Sequence, residues 1–276
     1  MKNNKLKITL ILSVFSLTLL LIVSIFIFGS QDNEKEYNID ETQAKALEIE
    51  NTKITNISDI TNKKDVTTKI KNKSKEIVSN IKINYVEFDK NQNKLSTKKI
   101  PVEVSLKNEE KALISIVPES YTYTIDIVGY SYETKDYGVN VDLNEDEVAI
   151  NEVDKKQQIN KSEEVKEKSN YKILDISDLK KIDDTGYKLT IVNLSQKNLG
   201  NIILKVAEVN EDDEYVSVNN ISCNSTLKTK QSTKIFLNSS DKNNTLEIIG
   251  YTYDDIENKN NIDVDLKSDD ASIVKN

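Results

Sequence analysis

The chain has 276 residues, room for one large domain or two of ordinary size, with 37% apolar residues, 30% charged residues and a net charge of −8 at pH 7. It has no His, a single Cys (Cys223), and 38 basic residues that are all Lys. These counts exclude a His-based triad, a His general base, a His metal ligand and an internal disulfide, and the acidic balance repels nucleic acid.

The chain opens with "MKNNKLK" and then runs without a charge from Ile8 to Phe28. A helix over 8–28 spans roughly 31 Å at about 1.5 Å per residue, the thickness of a bilayer's hydrocarbon core. Lys2, Lys5 and Lys7 precede it and "QDNEKE" follows, so the positive-inside bias puts residues 1–7 in the cytoplasm and the bulk outside. A cleaved signal peptide has a shorter apolar run and a small residue three places before the cut. Here cleavage after Gly29 or Ser30 puts Ile27 or Phe28 there. The expectation is a retained single-pass signal anchor at the cell membrane; a cleaved segment would make the protein secreted.

Residues 31–50 read as an acidic juxtamembrane linker, with a turn or two of helix in "ETQAKALEIE". Beyond it the chain repeats itself. A shift of 121 residues lays Ile70–Tyr132 on Ile191–Tyr253 without a gap. Identical pairs include Asn72/Asn193, Ser74/Ser195, Asn80/Asn201, Glu87/Glu208, Gly129/Gly250, Tyr130/Tyr251 and Tyr132/Tyr253. At the front, "ITNISDI" (54–60) resembles "ILDISDL" (173–179). This predicts two copies of one domain, 51–150 and 171–270, a charged linker over 151–170 and a tail over 271–276.

Within each copy the apolar period is two. Val66, Thr68 and Ile70 share a face, as do Ile81, Ile83 and Tyr85, and Val139, Val141 and Leu143. About seven short strands per 100 residues predict an all-β fold: two tandem immunoglobulin-like antiparallel β-sandwiches after one transmembrane helix. Gly-Tyr-x-Tyr closes each copy's best-matched block. Ile125 and Ile127 share a face, so in a regular strand Tyr130 and Tyr132 point the other way. A bulge at Gly129 or Gly250 reverses the parity and turns both tyrosines to the core.

The stretch "IKNKSKEIVSNIKINYVEFDKNQNKL" (70–95), with "SLKNEEKALISI" downstream, resembles the FxLYD-type domains of bacterial surface proteins. Asn72, Phe88 and Asp89 take that family's Asn and aromatic-Asp positions, whereas the second copy keeps Asn193 but has Val209 and Asn210. The resemblance covers about a quarter of the chain and implies non-catalytic extracellular modules.

Asp89, Asn91 and Asn93 match the opening of a calcium loop, and Asn210, Asp212 and Glu214 stand at the equivalent place in the second copy. Lys94 and Ile100 occupy the positions where such a loop needs Gly and Glu, so these six are candidates for weak calcium contact in what otherwise reads as solvated hairpin turns. Cys223 falls opposite Val102 and reads as a small buried residue. Neighbouring acids such as Asp183/Asp184 and Asp254/Asp255 read as polar turns, and Asn72-Lys-Ser as a chance sequon. Tyr121, Tyr123 and Tyr137 are the first copy's extra tyrosines, a possible contact surface. No catalytic or cofactor-binding residue is expected. The reading is a membrane-anchored, extracytoplasmic, non-catalytic protein of a Gram-positive-type envelope, with another envelope or extracellular protein as its partner. The alternative is an accessory subunit of an envelope membrane-protein complex.

Overall fold

The computed structural model describes residues 39, 41–55, 57, 66–152, 171–223 and 225–274. The expected membrane anchor at 8–28, the stub at 1–7 and residues 153–170 of the expected linker lie outside them. Among the described residues no helix is long and apolar enough to cross a membrane.

The fold is nearly all-β. One helical turn, α1 (Glu41–Ala44), precedes β1 (Leu47–Ile49), β2 (Lys53–Thr55), β3 (Val66–Asn72), β4 (Ser79–Phe88) and β5 (Lys94–Pro101). Then come β6 (Lys111–Ile116), β7 (Thr124–Glu133), β8 (Tyr137–Asp142) and β9 (Glu147–Glu152). The second half holds β10 (Leu174–Lys181), β11 (Gly186–Asn193), β12 (Leu199–Val209) and β13 (Glu214–Ser222). It ends with β14 (Ser232–Asn238), β15 (Thr245–Asp255), β16 (Asn260–Asp265) and β17 (Asp270–Val274). The expected tail therefore supplies a strand, and so does the expected linker: β1 lies within 31–50.

The halves repeat one plan. In the second, β10-β11-β14 form one sheet and β13-β12-β15-β16-β17 lie in another. Leu189, Ile191 and Leu237 from the first, with Leu204, Tyr251 and Val264 from the second, share a single core. In the first half β1-β3-β6 match the smaller sheet and β5-β4-β7-β8-β9 the larger. The front of the repeat differs from the expected alignment. Leu47 faces Asn72 and Leu174 faces Asn193, so "KALEIE" (45–50) is the counterpart of "KILDIS" (172–177). The match is hidden in sequence because the first half then leaves the sheet: β2 crosses to pair with β7, while β10 stays on β11 past a register shift near Asp178.

The tyrosine parity is resolved by bulges. Asn84 pairs with Gly129 and Tyr85 with Ile127, so Val128 is the extra residue. Lys205 pairs with Gly250 and Val206 with Ile248, leaving out Ile249. The bulge thus sits one place before the glycine. Tyr130, Tyr132, Tyr251 and Tyr253 are all buried, as expected from the parity argument. The glycine answers a close approach of backbone: a Cβ would stand 2.4 Å from the Val141 carbonyl oxygen at 129 and 2.5 Å from that of Val264 at 250. A second bulge opens β4 and β12, where Asn80 and Asn201 adopt left-handed backbone (φ 48° and 44°), which Asn tolerates better than most residues.

Candidate functional site

The residues that the copies share are consumed by scaffold. Asn72 is fully buried, and its Nδ2 donates to the carbonyls of Glu76 (2.7 Å) and Leu106 (2.8 Å). Its Oδ1 accepts from the Ser74 amide (2.9 Å) and hydroxyl (2.8 Å). Asn193 repeats all four contacts with Lys197, Leu227 and Ser195. Burial also removes Asn72 as a glycosylation acceptor. The tyrosine hydroxyls fasten the first strand of each copy. Tyr132 donates to the Ala44 carbonyl (2.7 Å) and Tyr253 to that of Tyr171 (3.2 Å), while Tyr251 accepts from the Leu174 amide (3.4 Å).

Glu87 and Glu208 are buried carboxylates that each hold a loop. Glu87 accepts from the Glu119 amide (2.9 Å), the Thr122 hydroxyl (2.5 Å) and Lys98 Nζ (3.0 Å). Glu208 accepts from the Ser240 amide (2.6 Å) and hydroxyl (2.8 Å) and from Asn244 Nδ2 (2.8 Å). Burial pushes both carboxyls up, but these donors outweigh it and hold each below the ordinary glutamate range.

The six calcium candidates do not converge; they cap two hairpins. Asp89 Oδ1 accepts from the amides of Asn91 and Asn93 (both 2.8 Å), and Oδ2 accepts from Asn93 Nδ2 (2.9 Å). Asn210 does the same work without a charge, accepting from the amides of Asp212 and Glu214 (both 3.0 Å). Asp212 is exposed at its tip, whereas Glu214 is buried, one carboxylate oxygen accepting from Asn210 Nδ2 (3.1 Å) and the other lying against Lys69 of the first half (2.5 Å). Among the described residues no group of three or more acidic, His or Cys side chains is placed to hold a metal. Cys223 is buried, and its amide donates to the Ile202 carbonyl (2.8 Å) as that of Val102 does to Ile81 (2.8 Å). Burial pushes its thiol up to about 11, so it stays protonated and a poor nucleophile at neutral pH. Of the extra tyrosines, Tyr137 is buried and Tyr121 is exposed, with Tyr123 between them.

What sequence reasoning missed is the joint between the halves. β6 pairs in parallel with β13, Lys111 opposite Glu214 and Ala112 opposite Tyr215, so that sheets of the two halves merge into one of eight strands. Lys267, in the β16–β17 turn, is buried at this joint. Its Nζ donates to Glu110 Oε2 of the first half (2.7 Å) and to the Tyr215 hydroxyl, and lies 4.2 Å from the centre of the Tyr215 ring. Tyr215 in turn donates to Glu247 (2.7 Å). Ser105 of the first half donates to Asp265 Oδ2 (2.6 Å), whose other oxygen accepts from the amides of Lys267 (2.7 Å) and Ser268 (3.0 Å). The Lys69 ammonium and the Asn210 amide hold the Glu214 carboxyl below its ordinary range against the opposing effect of burial.

A groove of about 460 Å³ runs beside the joint, with Lys82 and Glu103 on one wall and Lys205, Asp263, Asp265 and Asp270 on the other. Asp263 is taken up by Lys205 (2.7 and 2.8 Å) and Asp265 by the staple to Ser105. The arrangement fixes one half against the other; these two carboxylates are not held as a free acid–base pair.

No protein-family model and no curated protein matches the chain. Among solved structures it is similar to a transglutaminase from red sea bream, with TM-score 0.21 and 11% identity over 76% of this chain and 29% of that one. It is also similar to a β-glucuronidase from Bacteroides uniformis bound to cyclophellitol-6-carboxylate aziridine, with TM-score 0.17 and 8% identity over 84% of this chain and 28% of that one. The chain spans less than a third of the length of either structure. Similarity at this level carries no argument about activity.

Proposed function

We propose that the protein is a membrane-anchored, extracytoplasmic and non-catalytic two-module unit that spaces or binds a partner at the cell envelope. Each half is read as an immunoglobulin-like module: a three-stranded sheet faces a larger one, with the chain crossing between them after β11, β13 and β14. The FxLYD-type resemblance belongs to the same reading. The joint is the observation that carries it. Lys267, Glu110, Tyr215, Glu214 and Lys69 bridge the two halves. That suits presentation of a surface better than turnover of a substrate. The anchor at 8–28 supplies the tether.

The test uses the full chain in intact cells, with Cys223→Val replacing the native thiol and Lys99→Cys placing a new one on an exposed strand. A membrane-impermeant maleimide is expected to label it before lysis; labelling only after lysis removes the extracytoplasmic assignment. Chemical crosslinking in the same cells is expected to give a discrete adduct. An adduct that needs the 8–28 segment favours the complex-subunit alternative, and no adduct counts against both.

A further inference from the structure

Sheet edges invite other chains unless they are blunted. Among the described residues the three sheets end in six edge strands, with β2 a short addition. β1 is three residues long. β5 carries Lys94, Lys98, Lys99 and Pro101. β9 packs against α1. β10 is broken by a register shift at left-handed Asp178 (φ 60°). β17 has five residues and borders the groove to the first half. Of these devices β14 has only a lone Lys. Its seven residues, "STKIFLN", pair with β11 without a shift from Ser232 to Asn238, and its only charge is Lys234.

The free side of β14 is defined by its ladder. Asn193 N donates to Gln231 O (3.0 Å) and Ser239 N to Thr185 O (2.9 Å). Antiparallel ladders alternate, so the odd-numbered residues of β14 bond to β11, and Lys234 and Phe236 direct N–H and C=O to the open side. Phe236 is 66% exposed there, a large apolar residue beside unused backbone groups. The same edge of the first half is the one that β6 uses for β13: Lys111, paired with Glu214, is the counterpart of Ser232.

We propose that β14 is a dimerisation edge, pairing antiparallel with β14 of a second copy of this chain about a two-fold axis. A head-to-tail mate is disfavoured by charge: the counterpart of β13 in the first half is β5, whose lysines would meet Lys234. Pairing β14 with itself avoids this. Centred on Ile235 it places Lys234 opposite Phe236 of the partner, and centred on Phe236 it places Lys234 opposite Asn238. Either register gives Phe236 an apolar or cationic neighbour and turns two three-stranded sheets into one of six. An isologous contact closes at two copies. Pairing along one edge covers less than a standard interface, so the dimer is concentration-dependent.

Sedimentation of the full chain in detergent is expected to show the protein mass rising with concentration toward twice the monomer and stopping there. Phe236→Lys sets the new Lys against Lys234 in the first register and against its own copy in the second, and is expected to weaken association at least about tenfold with the melting curve unchanged. A short bis-maleimide in a Cys223→Val background is expected to link Phe236→Cys chains in pairs and to leave Thr97→Cys, on β5, unlinked. A monomer at every soluble concentration, assembly beyond two, equal linking at both sites, or undiminished association of Phe236→Lys would overturn the proposal.

Discussion

Asn72 and Asn193 each use two donors and two acceptor contacts in a site closed to water, so no other side chain replaces them. Asn72→Ala takes one donor each from the carbonyls of Glu76 and Leu106, which keep the Ser74 hydroxyl and the Val78 amide, and leaves the Ser74 amide without its acceptor; it is expected to cost about 2–4 kcal/mol in denaturant unfolding. Asn72→Asp keeps the shape but cannot donate, and should cost at least as much; if it unfolds like the wild type, the hydrogen bonds are not what the site needs. At Gly129 the issue is space. Gly129→Ala drives a methyl into the Val141 carbonyl and should cost about 1–3 kcal/mol, while Gly138→Ala, whose Cβ has nothing nearer than 3.8 Å, should fall within about 0.5 kcal/mol of wild type. These positions were legible because they recur. An identity at a fixed shift marks Asn72, Asn80, Glu87, Gly129 and the tyrosines as constrained. It does not say by what: the glycine stands beside the bulge rather than in it, and the hydroxyls reach backward to Ala44 and Tyr171.

At the scale of the element, Glu87 ties β4 to the loop after β6. Its folded carboxyl lies below the ordinary glutamate range, so the stabilisation is complete above about pH 4.3 and is lost as pH falls through the folded value. Unfolding free energy is therefore expected to fall with acidification below that point. Glu87→Gln cannot titrate and should show a slope shallower by up to one proton, about 1.4 kcal/mol per pH unit. Equal slopes would show that Glu87 is not among the groups that set acid stability. The strands themselves were readable from the two-residue period. The first strand was not. "KALEIE" is short, lies beside a helical turn, and hands its role to β2 on the other sheet, so neither its period nor the repeat exposes it.

At the scale of the molecule, the joint depends on positions where the copies differ. Tyr215 stands for Lys94, Glu214 for Asn93, Lys69 for Thr190 and Glu110 for Gln231. Self-comparison finds what two domains share and is blind to what each does to the other. A list of mismatched pairs along β5 and β13 would have been the signal. Removing one partner leaves a buried ammonium, so Glu110→Ala is expected to cost about 2–4 kcal/mol and to split a single thermal transition into two. Replacing both partners, Glu110→Leu with Lys267→Met, takes both charges away and should be close to neutral. A single unaltered transition for Glu110→Ala would mean that the halves do not rely on this contact.

The tyrosine fastening has a mechanical side. In both copies the hydroxyl grips a carbonyl just ahead of the first strand, at Ala44 before β1 and at Tyr171 before β10. Tension entering along the backbone from the amino-terminal side reaches that grip before it reaches the ladder behind it. The rings beneath are wedged in the core, so the pull is passed to β7 or β15 in the middle of the larger sheet instead of peeling an outer strand one bond at a time. Under such a load Gly-Tyr-x-Tyr would act as a strain relief, the part of a cable fitting that keeps a tug from reaching the contacts.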